Sequence, residues 1–126
     1  MRLLLDSAFV IDLLGGIPEA KARHARIFEV GEEPIVNEVV VCEVRAGMTG
    51  HDAWKLEGLL RPIEFIQPGP ETALLAGVWR ADARARGRHL SLADALIAAA
   101  AHHVGAAVLT RNVRDFALTP VRVETY

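Results

Sequence analysis

The chain has 126 residues, with 14 Lys and Arg against 16 Asp and Glu, a formal charge of -2 at neutral pH. Hydrophobic residues make up 52% and charged residues 24%, which excludes a disordered chain, while no apolar run approaches the roughly 20 residues that span a bilayer. At this mass, area scaling leaves roughly 6,600 Å² accessible of about 20,000 Å² in the unfolded chain, so one domain over residues 1–126 can form without a disulfide or zinc staple. Cys42 stands alone, and the stretch Met1 to Asp6 lacks the apolar core and small-residue cleavage site of a signal peptide. Both features lead to the expectation of a soluble protein of the reducing cytoplasm. The negative total also argues against a nucleic-acid binder driven by bulk positive charge.

Arg2 to Leu5 reads as a first buried strand, followed by helical patterns at Phe9 to Leu14 and Pro18 to Val30. A second apolar run, Pro34 to Val36, leads into a helix over Asn37 to Met48 with Asn37 placed to cap it. Helices over Asp52 to Leu60, Pro70 to Arg86 and Ser91 to His103 follow, with a weaker strand at Ile63 to Ile66 between the first two. Ala106 to Leu109 is the last clear strand, and Val121 to Val123 a weaker one. Alternation of strands with helices predicts an α/β fold: a three-layer sandwich whose central, mainly parallel sheet is flanked by helices. Such sheets bind ligands at the carboxyl ends of their strands.

Four acids occur in settings that tax a carboxylate. Asp6 ends the first strand among Leu3, Leu4, Leu5, Phe9, Val10 and Ile11, where lost solvation costs several kcal/mol unless a cation or donors compensate. Asp6 or Ser7 reads equally well as the cap of the helix that follows. Asp94 is the only charge in Leu90 to Ala101. It lies three residues after Ser91, so it fits both a capping box and a ligand-facing acid at a helix N-terminus. Glu43 lies in the valine-rich stretch Val39 to Val44, about 140° round the axis from Glu38, so the two cannot serve one point. Thr110, Asn112 and Asp115 follow the Ala106 to Leu109 run, where oxygen-bearing side chains also serve as turn formers.

Carboxylates gathered at one sheet edge repel one another unless a cation shares them, and an all-oxygen donor set selects Mg²⁺ or Mn²⁺ over zinc. His24, His51, His89, His102 and His103 form no zinc-ligand spacing. Arg80, Arg84, Arg86, Arg88 and His89 crowd one helix end and the turn at Gly87, either as a solvated C-terminus or as a phosphate-contacting edge joined by Arg45, Arg111 and Arg114. Trp54 and Trp79 lie in helical stretches and are expected in the core or an interface.

Together these motifs resemble the PIN-domain ribonucleases, and among them the compact VapC-type toxins of toxin–antitoxin pairs. The resemblance rests on Leu4-Leu5-Asp6-Ser7 with Phe9 to Leu14, on Val39 to Gly47, on Leu92 to Ala100, and on Leu109 to Phe116, in that order along the whole chain. It implies a PIN-like fold, metal-dependent RNA cleavage leaving a 5′-phosphate and a 3′-hydroxyl, a homodimer, and an antitoxin whose helix lies in a groove lined by the Asp52 to Leu60 and Pro18 to Val30 helices. Asp6, Glu43 and Asp94 match acidic metal-site positions and Ser7 the family's Thr or Ser. Asn112 stands where many relatives carry Asp, so Asp115 is taken as the fourth acid and Asn112 as a neutral ligand or water-holder. Asp6, Glu43, Asp94 and Asp115 are thus the expected catalytic and metal-holding residues, with Ser7, Asn112, Arg86, Arg88 and Arg111 toward the substrate.

Two other readings stand beside this one: a PIN-like binding module that has lost catalysis, hinted at by Asn112, and a housekeeping nuclease. An acid-cluster phosphatase lacks its Asp-x-Asp pair, because Ser7 and Ala8 follow Asp6. Setting the four acids aside leaves 14 basic against 12 acidic residues, a formal +2. The near-neutral total therefore conceals an acidic pocket in a mildly basic surface, and an RNA partner is compatible with it.

Overall fold

A computed structural model describes residues 1–126. Five strands form one sheet: β1 (Arg2–Leu5), β2 (Glu33–Asn37), β3 (Glu64–Ile66), β4 (Ala107–Leu109) and β5 (Val123–Glu124), in the order β3-β2-β1-β4-β5. All four pairings are parallel, with Leu4 of β1 in register with Ile35 on one side and Val108 on the other. Helices α1 (Ser7–Leu14), α2 (Pro18–Glu29), α3 (Glu38–Ala46), α4 (Ala53–Leu60), α5 (Pro70–Ala85), α6 (Leu92–His103) and α7 (Val113–Phe116) supply the connections. The expected α/β sandwich is thus present, and its sheet is wholly parallel.

Central strands of a parallel sheet are covered on both faces, which is why Leu3, Leu4 and Leu5 are all fully buried instead of alternating. They join one continuous core of 29 buried side chains, which also takes in Phe9 of α1, Val40 and Val44 of α3, and the alanine-rich face of α6. Small side chains on α6 let that helix lie close to β1, β4 and α5. The total accessible surface, 6907 Å², agrees with the area-scaling expectation of roughly 6,600 Å² for a compact chain.

Local signals define the helix ends. Asn37 caps α3 through its Oδ1, which accepts from the Val40 amide at 3.1 Å, and Ser91 caps α6 by accepting from the Asp94 amide at 3.0 Å. Gly87 closes α5 in a left-handed conformation, φ 69°, that lets the Arg88 amide reach back to the Ala83 carbonyl at 2.8 Å. Arg86 and Arg88 flank this glycine, both exposed.

After β4, beyond the turn formers, residues Val113–Phe116 form α7, one turn anchored by the fully buried Phe116. Trp79 lies in the core, whereas Trp54 is 66% exposed and Leu56 is the residue of α4 that turns inward.

Chain order reverses between β1 and β4: from β1 the chain moves outward to β2 and β3, and from β4 outward to β5 on the other side. This topological switch point opens a crevice at the strands' carboxyl ends. Asp6 follows β1 and Thr110 follows β4, so both border it.

Candidate active site at the sheet switch point

Asp6 is only 3% exposed. It occupies the N-cap position of α1 with extended backbone, yet its carboxylate caps nothing. Instead Oδ2 accepts a hydrogen bond from the Thr110 hydroxyl at 2.7 Å, and the Asp6 amide donates to the Leu109 carbonyl at 3.0 Å. Burial pushes its carboxyl up to about 6; the Thr110 hydroxyl and the Ser7 backbone oppose this, while the charges of Asp94 and Glu43 add to it. Asp6 therefore sits at the N-cap position without capping through its side chain.

Asp94, half-buried in the first turn of α6, is also raised, first by burial and then by the charges of Asp115 and Glu43, against the Ser91 hydroxyl. Ser91 caps the helix through the Asp94 amide, and the charges of Asp115 and Glu43 reach the Asp94 carboxyl. Glu43, on α3, is exposed and accepts a short hydrogen bond from the Ser7 hydroxyl. Asp115, on α7, is exposed as well. No ion pair neutralises any of these four carboxylates. No three His, Cys, Asp or Glu side chains converge into a ready-made chelate. The acids are linked through charge: Asp94 and Glu43 act on Asp6, and Asp115 and Glu43 on Asp94. The donors are all oxygens and burial resists ionisation of Asp6 and Asp94, so the chemistry of the set fits a hard divalent cation, which favours the charged form of a carboxylate.

Asn112 lies at the start of α7, exposed, and its amide donates to the Thr110 Oγ1 at 2.9 Å. Arg111 is tied to Asp12: its Nη1 lies 2.5 and 2.6 Å from the two carboxylate oxygens. Arg86 borders a recess with Trp79, Asp82 and Ala117 to Pro120, and neither Arg86 nor Arg88 engages an acid of the crevice by hydrogen bond or ion pair. Arg80 is committed elsewhere, donating from Nε to the Leu90 carbonyl at 3.1 Å.

The residue that sequence reasoning missed is Asp12. Between Ile11 and Leu13 it looks like an ordinary solvated helix acid, but it is 7% exposed and also accepts from the Tyr126 hydroxyl at 2.7 Å. Thr110 was noted only as an oxygen-bearing residue, whereas it is fully buried and is the donor that holds Asp6. Beside the crevice, Glu38, Val39, Cys42 and Glu43 of α3 face Leu92, Ala93 and Leu96 of α6 across a groove of about 410 Å³. A second groove of about 300 Å³ runs between Ile11 and Leu14 of α1, Val44 and Met48 beside α3, and Lys55 of α4. No residue of α2 lines it.

The PIN domain family model matches residues 3–120. Ribonuclease VapC19 of Mycobacterium tuberculosis is 32% identical over 117 residues, covering 93% of this chain and 94% of that protein. A toxin–antitoxin complex from Klebsiella pneumoniae superimposes with a TM-score of 0.78 at 27% identity, over 98% of this chain and 96% of that one. VapBC2 from Rickettsia felis, solved bound to a DNA fragment from its promoter, has the same fold, with a TM-score of 0.87 at 19% identity over 100% of this chain and 99% of that one. The chain belongs to the PIN domain family, among the VapC ribonucleases.

Proposed function

We propose that the protein is an endoribonuclease that hydrolyses RNA phosphodiester bonds with Mg²⁺ or Mn²⁺ and acts as the toxin of a type II toxin–antitoxin pair. The observation that carries this reading is the set of four acids about the sheet switch point, Asp6, Glu43, Asp94 and Asp115, linked by charge through Asp6 and Asp94, with none of them in an ion pair. The similarity to ribonuclease VapC19 supports the substrate class.

In this reading the four acids hold the metal, and Asn112 stays neutral. When bound, a divalent ion supplies Lewis acidity toward the phosphodiester and lowers the pKa of the attacking water. Ser7 steadies Glu43 through its hydroxyl, and Thr110 fixes the rotamer of Asp6 from the opposite strand end. Arg86, Arg88 and Arg111 take phosphates of the RNA. Single-stranded or loop RNA is the substrate, because a duplex does not enter a narrow acidic crevice, and the products are a 5′-phosphate and a 3′-hydroxyl.

The antitoxin, in this proposal, lays an amphipathic helix into the α1–α3–α4 groove, where Ile11 leaves large apolar surface exposed. The toxin acts in the cytoplasm as one PIN domain and as a homodimer. No helix is long and apolar enough to cross a membrane. The test is cleavage of RNA by protein freed of antitoxin, with ends mapped. Cutting with Mg²⁺ or Mn²⁺, arrest by EDTA and loss in Asp94→Ala support the proposal; cutting that persists in EDTA or in Asp94→Ala overturns it.

A further inference from the structure

Asp12 differs from the four crevice acids in being both buried and fully paired. Its two oxygens lie 2.5 and 2.6 Å from one nitrogen of Arg111, Nη1, and Oδ2 also accepts the Tyr126 hydroxyl at 2.7 Å. Tyr126 is itself held, its ring edge-on to Phe9 with centroids 4.9 Å apart. Arg111 immediately follows Thr110, the residue that bonds Asp6, and precedes Asn112. The guanidinium is therefore carried by the same three residues that border the crevice. Nη1 alone engages Asp12, while Nη2 and Nε have no partner and the side chain is 53% exposed.

A free arginine side chain gives up rotamer entropy when it grips a phosphate, whereas one already held along one edge by a carboxylate gives up less and keeps its remaining donors in a fixed plane. We propose that Asp12 and Tyr126 are positioning residues that present the free edge of Arg111 to a phosphodiester group of the RNA next to the crevice. This rests on the nuclease reading for its location beside the scissile bond, but the contact itself is one of binding.

The experiment measures binding of a fluorescein-labelled single-stranded RNA by anisotropy in EDTA, where metal-dependent cutting is off, alongside kcat and KM with Mn²⁺. Tyr126→Phe keeps the ring against Phe9 and removes only the hydroxyl, so it isolates the brace with little risk to folding; thermal melting checks this. Arg111→Ala is expected to weaken RNA binding about tenfold and to lower the slope of log Kd against log salt by about 0.7, the value for one phosphate on a single strand. Tyr126→Phe and Asp12→Asn should each weaken binding about three- to fivefold, the size of one lost hydrogen bond, and raise KM more than they lower kcat. In the Arg111→Ala background both effects should vanish, and Arg111→Lys should not restore binding, because an ammonium lacks the planar fork.

Unchanged binding in Tyr126→Phe, effects that add in full to Arg111→Ala, a change confined to Mn²⁺ affinity, or no RNA binding by the unaltered protein would each overturn the proposal. Protein that binds the RNA through this brace but leaves it uncut with Mn²⁺ would sink the nuclease reading and leave the positioning of Arg111 standing.

Discussion

The Thr110 hydroxyl donates to Asp6 Oδ2 at 2.7 Å across 104 residues of sequence, joining the ends of β1 and β4 at the point where chain order reverses. One hydroxyl does not balance the loss of solvent around a carboxylate that is 3% exposed, and the carboxyl stays pushed up to about 6. Unfolded, the same group ionises near 3.8. Between these values the folded state holds a proton that the unfolded state has released, so stability falls as pH rises through this window, and the loss is complete above about pH 7. A displacement of this size corresponds to about 3 kcal/mol. Asp6→Asn, which cannot ionise, should therefore raise the melting temperature by about 5 °C or more at pH 7.5 while abolishing cleavage. Added Mn²⁺ should stabilise the unaltered protein and not the variant; a variant less stable than the unaltered protein in EDTA would contradict the assignment.

Thr110→Val keeps the volume and removes the only side-chain donor to Asp6. The Asp6 carboxyl should then rise further, since the hydroxyl is the largest influence holding it down. The expected outcome is an acid limb of the kcat/KM profile displaced to higher pH, with Mn²⁺ binding weakened most below pH 7. Proton and metal compete for the same carboxylate, so the two displacements should match. A profile unchanged from the unaltered protein would show that the hydroxyl has no hold on the ionisation of Asp6.

Much of this arrangement was legible from the sequence because it is written locally. Each of the five strands lies within two residues of its apolar run, and Asn37 and Ser91 cap where their spacing indicates. Asp6 and Asp94 stand out because each interrupts an otherwise apolar segment. Asp12 does not: its partners Arg111 and Tyr126 lie 99 and 114 residues away, and no local period records a pairing made by the sheet bringing distant segments together. Helix α7 escaped because a single turn is shorter than the period by which helices are recognised. Whether Asn112 or Asp115 faces Asp94 likewise depended on that turn.

Arg23 of α2 and Glu32, just before β2, form a two-pronged pair at 2.8 and 3.0 Å, with side chains only 13% and 9% exposed. The guanidinium holds the Glu32 carboxyl below the usual carboxylate range, mainly by hydrogen bonding. Its contribution is thus present above the ordinary Glu pKa and is lost as pH falls through the lowered one, opposite in sign to that of Asp6. Arg23→Ala removes the partner of a half-buried carboxylate and should cost about 1 kcal/mol at pH 7. Denaturant melts from pH 3 to 7 should show a steeper acid loss in Asp6→Asn than in the unaltered protein, because the compensating group is gone.

Asp115 on α7 and Asn112 at its N-cap are three residues apart and differ in charge. The charge of Asp115 raises the Asp94 carboxyl, whereas the Asn112 side chain brings no charge, and its backbone N–H is what donates to Thr110 Oγ1. A cation shared between Asp94 and Asp115 relieves that repulsion, so each carboxylate adds affinity that a neutral amide cannot. Asp115→Asn should weaken Mn²⁺ binding about tenfold or more, and Asn112→Ala by less than about threefold. Asn112→Asp should act in the opposite direction, tightening Mn²⁺ while pushing the Asp94 carboxyl still higher in metal-free protein. Calorimetric titration of all three variants orders them, and an Asn112→Ala loss larger than that of Asp115→Asn would move the fourth ligand to Asn112.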